Sequence, residues 1–154
     1  MSHIDTAATA APSPRALFPA LTPLYQRLQP LAETWLRVIA GAALATHGWP
    51  KIQDPMRAIG MVESIGFHPG WLWSPALAAG EFFGGLALML GLLTRFAAAA
   101  TTVILLVTVY FHWILKGEGF AGAELSLIWS AVTLHFVARG GGRLSLDRLL
   151  GREL

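Results

Sequence analysis

Read for its hydrophobic and polar positions, the chain divides into four apolar segments, at about 31–49, 74–93, 96–115 and 119–138, joined by polar connections of unequal length. Residues 96–115 hold no Asp, Glu, Lys or Arg. That meets the requirement of about 20 apolar residues for one bilayer crossing. The stretch AAAATTVILLVTVYF is uncharged on every side, so it offers no water-facing stripe of the kind a soluble amphipathic helix needs. The pattern predicts an all-α fold, an integral membrane four-helix bundle. Only Thr94 and Arg95 separate the second and third segments, whereas residues 50–73 make a longer loop. There Asp54 followed by Pro55 reads as a helix start, and Met56, Ile59 and Ile65 predict a short interfacial helix. Trp71 and Trp73 then stand where an aromatic belt would anchor the next span.

Residues 1–30 carry five of the nine prolines and no uninterrupted apolar core of signal-peptide length, so they read as a tail. The part ALFPALTPLYQRLQP suits either a membrane surface or a disordered linker. The expected organisation is a tail over 1–30, a membrane domain over 31–147 and a short C-terminal segment over 148–154. Composition agrees: 55% of residues are hydrophobic and 13% charged, against roughly 25% charged in soluble domains. The net charge of +2 comes from scattered Lys and Arg, with no basic stripe, so no nucleic-acid partner is expected. Cysteine is absent, which excludes disulfides and thiolate chemistry. Outside the spans, the tail, the tight turn and the C-terminus hold seven Lys or Arg, and the other two connections hold three. That asymmetry predicts both termini on the inside, with the 50–73 loop and the Lys116–Glu118 turn outside, which in a bacterium means cytoplasmic termini at the inner membrane and a periplasmic loop.

Ionisable groups inside spans are costly and usually face a partner or a wet cavity, at roughly 2.5 to 3.5 kcal/mol each near a helix centre. Glu33, Arg37, His47, Glu81, His112, Glu124 and His135 are such groups here, and Lys51 follows His47 by four residues at the exit of the first segment. At about 1.5 Å per residue, Glu81 lies about 12 Å into its span and Arg37 about 18 Å below the exterior end, so the two are expected to meet near the middle. His135, about 17 Å beyond Glu124, reaches a similar depth. His47, Lys51, His112 and Glu124 form a shallower layer towards the exterior. Thr101, Leu105, Thr108 and His112 share one helical stripe, as do Glu124, Ile128, Ala131 and His135, and both stripes are expected to face inward. Gly80 and Gly84 form a GxxxG pair suited to close helix approach. The competing structural reading makes Arg37 and Glu81 a registering ion pair, and lets Lys51 and His112 snorkel to the interface.

Several of these residues fall into a known pattern. RVIAGAALATHGWPK resembles the first-helix signature of the DoxX family of small four-span bacterial membrane proteins, through Arg37, Gly41, His47, Gly48 and Lys51. AAGEFFGGLALMLGLLTR is similar to the family's second helix and turn, through Glu81, Gly84, Gly85, Gly91, Leu92, Thr94 and Arg95. His112 and Glu124 match the histidine closing the third helix and the glutamate opening the fourth. GGGRLSLD, through Gly142, Arg143, Ser145 and Asp147, is similar to the family's closing motif. The resemblance implies association with redox functions, the family's name coming from a subunit associated with thiosulfate:quinone oxidoreductase.

Three functions remain at this point. In one, Arg37, His47, Lys51, Glu81, His112, Glu124 and His135 line an outward polar cavity for a quinone or small oxyanion, in a subunit of a quinone-linked oxidoreductase. Lys51 and His47 would donate to a carbonyl or anion, and His112 and Glu124 would exchange protons. In the second the chain is a non-catalytic accessory protein that docks a partner through the 50–73 loop. In the third His47, His112 and His135 hold a haem or copper, although no pair has a diagnostic metal spacing. Membrane lipid is the surrounding partner throughout, and a homo-oligomer stays open. No nucleophile is identifiable.

Overall fold

A computed structural model of the chain describes residues 17–151. Residues 1–16 of the expected tail, and Arg152 with the rest of the C-terminal end, lie outside the described residues. All regular elements described are helical: α1 (Thr22–Gln53), α2 (Ile59–Ser64), α3 (Gly70–Leu90), α4 (Thr94–Tyr110) with a π-helical turn over Phe111–Leu115, α5 (Gly119–Arg139) and α6 (Leu146–Leu149). A 3-10 turn, Pro19–Leu21, leads into α1.

The helix α3, the helix α4 with its π turn, and the helix α5 are each long and apolar enough to cross a membrane. The first helix has 32 residues and is therefore about 48 Å long, more than the roughly 30 Å of bilayer hydrocarbon. It takes in residues 22–30, which composition had placed outside the first span. Pro30 removes one backbone hydrogen bond, and its own carbonyl accepts from the Thr34 hydroxyl at 2.7 Å. The helix also continues through Pro50, so Asp54 ends α1 and does not start α2.

Packing follows small residues. A Cβ added at Gly85 would lie 2.6 Å from the Ala45 nitrogen, and one at Gly48 would lie 2.5 Å from the Phe82 nitrogen, so α1 and α3 touch backbone to backbone. The Gly80 and Gly84 pair has a different role from the one expected: it faces the side chains of Ile104 and Thr101 on α4. The fourth and fifth helices join through Thr102, whose hydroxyl donates to that of Thr133 at 2.7 Å. Glu33 in the first half of α1 meets Arg139 at the end of α5 at 3.2 Å, so both ends of the described chain lie towards the same end of the bundle.

The outside of the bundle is more apolar than much of its inside. Phe96, Val103 and Leu134 are over half exposed, while Thr101, Thr102, Ser130 and Thr133 are buried. Water would penalise that arrangement and lipid favours it. The architecture is that of a multi-span helical membrane protein.

A capped apolar cavity with an ion pair at its polar end

Between α1, α3, α4 and α5 lies a cavity of about 520 Å³, roofed on the loop side by Met61, Val62, Ile65 and Phe67. The roof is held down by specific bonds. Ser74 on α3 donates its hydroxyl to the Pro55 carbonyl at 2.5 Å and accepts the Ala58 N–H at 3.1 Å. Glu63 accepts the Gly70 N–H at 2.9 Å, supplying an acceptor to the first turn of α3. Phe67 packs edge-on to Trp73, with ring centres 5.1 Å apart. The 50–73 connection is thus a folded cap, built on the short helix its apolar residues predicted.

Four of the seven expected site residues line this cavity: His47, Lys51, Glu81 and His112. Because α1 persists to Gln53, His47 and Lys51 stand one turn apart on the same face. The Lys51 ammonium contacts both Glu81 oxygens, at 2.5 and 2.6 Å. Glu81 is buried and receives no other side-chain hydrogen bond among the described residues. The remaining lining is mainly apolar, including Leu44, Leu105, Val107 and Trp129. Val103 and Leu125 line the cavity and also stand on the outer surface, so its wall borders the lipid-facing side of the bundle.

His112 is placed by the π turn. The Lys116 N–H reaches back five residues to the Phe111 carbonyl at 2.9 Å, which widens the end of α4. Glu118 accepts from the His112 ring at 2.6 Å and sits 3.5 Å from Lys116, tying this turn to the start of α5. The hydrogen bond with His112, helped by Lys116, holds the Glu118 carboxyl below the usual carboxylate range even though it is exposed.

The other three expected site residues are elsewhere. Arg37 does not meet Glu81. It is 1% exposed, and its guanidinium donates to the Leu88 and Met89 carbonyls at 2.8 Å each and to the Leu144 carbonyl at 2.7 Å. Seven residues separate Glu81 from Leu88, about 10 Å along α3, so the two charges occupy different levels. Arg37 closes the far end of α3, whose last carbonyls have no partner within the helix. Glu124 and His135 are also corrected: their whole stripe, with Ile128 and Ala131, is exposed on the outer surface. The inward face of α5 is instead Ala123, Ser130, Thr133 and Phe136. His135 stands one turn from the end of α5, apart from the cavity, so the three histidines do not converge on one metal or haem. Among the described residues, no three metal-capable side chains gather.

The closing motif is structural in large part. Asp147 accepts the Leu93 N–H at 2.6 Å and, on its other oxygen, the Thr94 N–H at 2.9 Å and the Thr94 hydroxyl at 2.6 Å. It thereby caps α4 and holds Leu93, whose φ of 46° is unusual for a residue other than glycine. Ser145 accepts the Arg148 N–H at 3.3 Å to start α6.

The family model described as DoxX matches residues 32–113, which carry most of α1, the capped loop, α3, α4 and the first part of the π turn. The chain belongs to the DoxX family. It is 30% identical to the inner membrane protein YqjF of Escherichia coli, over 83% of this chain and 98% of that relative. An uncharacterized protein of Haemophilus influenzae is 30% identical, over 79% of this chain and 92% of its own length. A Bacillus subtilis relative named "Putative oxidoreductase CatD" is 31% identical, over 73% and 81%. No solved structure matches the chain. The family match contains all four cavity-lining ionisable residues and Arg37, whereas Glu124 and His135 fall beyond it.

Proposed function

We propose that this DoxX-family chain is a redox-associated subunit of the bacterial inner membrane, spanning it four times with both termini in the cytoplasm, and that its cavity holds the ring of a quinone. The carrying observation is the pairing of Lys51 with Glu81 at the polar end of a cavity that is otherwise mostly apolar. Glu81 neutralises Lys51, which removes the attraction a small oxyanion would need. An ammonium has three donors, and Glu81 uses two, so the third is left for a neutral carbonyl oxygen, with His47 on the same face. The volume suits a small organic molecule, and the lipid-bordering wall suits one that arrives dissolved in the bilayer. The names of two relatives, "Inner membrane protein YqjF" and "Putative oxidoreductase CatD", point the same way.

The test is a titration of the purified chain with a short-chain ubiquinone analogue, read by quenching of Trp73 and Trp129, which line the cavity. Saturable quenching is expected, and Ser126→Phe, which projects a ring into the cavity from α5, should abolish it. Quenching that never saturates, or that Ser126→Phe leaves unchanged, refutes the assignment.

A further inference from the structure

The closing motif leaves one residue without a structural task. Ser145 and Asp147 are taken up by helix caps, but Arg143 is exposed and makes no hydrogen bond or ion pair among the described residues. It lines a second cavity, of about 410 Å³, at the end of the bundle that holds both ends of the described chain. Arg139, Arg148, Glu33, Gln26 and Gln29 complete the polar wall. Glu33 answers Arg139 at 3.2 Å, and no carboxylate among the described residues pairs with Arg143 or Arg148. The Gln29 amide donates one N–H to Glu33 at 3.1 Å and keeps the other, so the pocket carries excess positive charge and amide donors, a set suited to phosphate oxygens.

Its level in the bundle narrows the source of that phosphate. Arg139 is the last residue of α5, so the pocket stands where the apolar surface of α5 ends. Leu144, Leu149 and Leu150 beside it are 56%, 82% and 63% exposed, an apolar skirt next to the arginines. Water disfavours that skirt, and acyl chains under a headgroup accommodate it. We infer that Arg143 and Arg148, with Gln26 and Gln29, form a binding site for the phosphodiester headgroup of an anionic phospholipid. The site is separate from the cavity at Lys51 and does not depend on what occupies that cavity.

Native mass spectrometry of the full chain in detergent, titrated with phosphatidylglycerol, tests this. One saturable lipid adduct is expected, with phosphatidylethanolamine binding more weakly. Arg143→Gln and Arg148→Gln should each weaken it about fivefold, the double variant about 25-fold, and Arg143→Lys less than Arg143→Gln. Arg57→Gln, in the loop at the opposite end, should bind as the parent does. Equal binding by parent and Arg143→Gln overturns the inference, as does an equal loss in Arg57→Gln. Retention of inorganic phosphate, with no preference for the anionic lipid, overturns the lipid assignment. Each single variant stands alone should the double variant fail to fold.

Discussion

Replacing Lys51 with methionine isolates the central interaction. Both Glu81 oxygens receive their hydrogen bonds from the Lys51 ammonium, at 2.5 and 2.6 Å, and the Glu81 side chain is only 7% exposed. Removing one member of a buried pair strands the other, at a cost of about 3–5 kcal/mol. The adjoining cavity can admit water to the abandoned carboxylate, so the lower end, about 3 kcal/mol, is expected. The reverse change is not symmetrical. Glu81→Gln leaves Lys51, whose side chain is 30% exposed and can swing its ammonium outward, so the loss should be nearer 1 kcal/mol. In the double variant neither charge is buried, and stability should return to within about 1 kcal/mol of the parent. The assay is reversible unfolding of the purified chain in mixed micelles, followed by tryptophan fluorescence. Equal losses in the two single variants, or losses that simply add in the double variant, would refute the reasoning.

Asp147→Asn removes the charge from a side chain that accepts three hydrogen bonds at the start of α4, and should lower stability by about 1–3 kcal/mol in the same assay. Gly85→Val should cost more than about 3 kcal/mol, because the new side chain meets the α1 backbone, whereas Gly60→Ala, with open space around it, should be neutral or stabilising by up to about 1 kcal/mol. Separate melting curves for the two variants decide this. Glu118 titrates below the usual carboxylate range because it is hydrogen-bonded to His112. Its folded value is depressed, so its contribution is complete above the unfolded value of about 4.3 and is lost as the pH falls through the folded one. A carbon-13 titration of the Glu118 carboxyl should therefore show its midpoint below about 4.3, and His112→Ala should raise it.

Much of the molecule was readable from local pattern. The three long apolar helices follow from uninterrupted hydropathy, and the short helix in the first loop from Ile59 and its neighbours, because a helix in lipid satisfies its backbone within a single segment. The family was readable from the order of its motifs, and His47 and Lys51 on one face followed from their spacing once α1 continued past Pro50. Small residues also carry a usable signal that the charged positions do not. Ala123, Ser130 and Thr133 mark the inward face of α5, since close packing in lipid favours small side chains.

What periodicity left undecided was direction and partnership. It grouped Glu124 with His135 but did not say which way they faced, because an apolar stripe no longer marks the inside of a bundle when lipid and interior are both apolar. Depth counted along single helices placed Arg37 opposite Glu81; only the contact of Gly41, Gly48 and Gly85 set the level at which α1 crosses α3. That crossing, with the return of the closing segment, gave Lys51 to Glu81 and gave Arg37 to the Leu88, Met89 and Leu144 carbonyls. The sequence thus determined the helices and their charged residues. Which charges met was decided by tertiary structure, since a partner thirty or more residues away is chosen by backbone approach and not by local pattern.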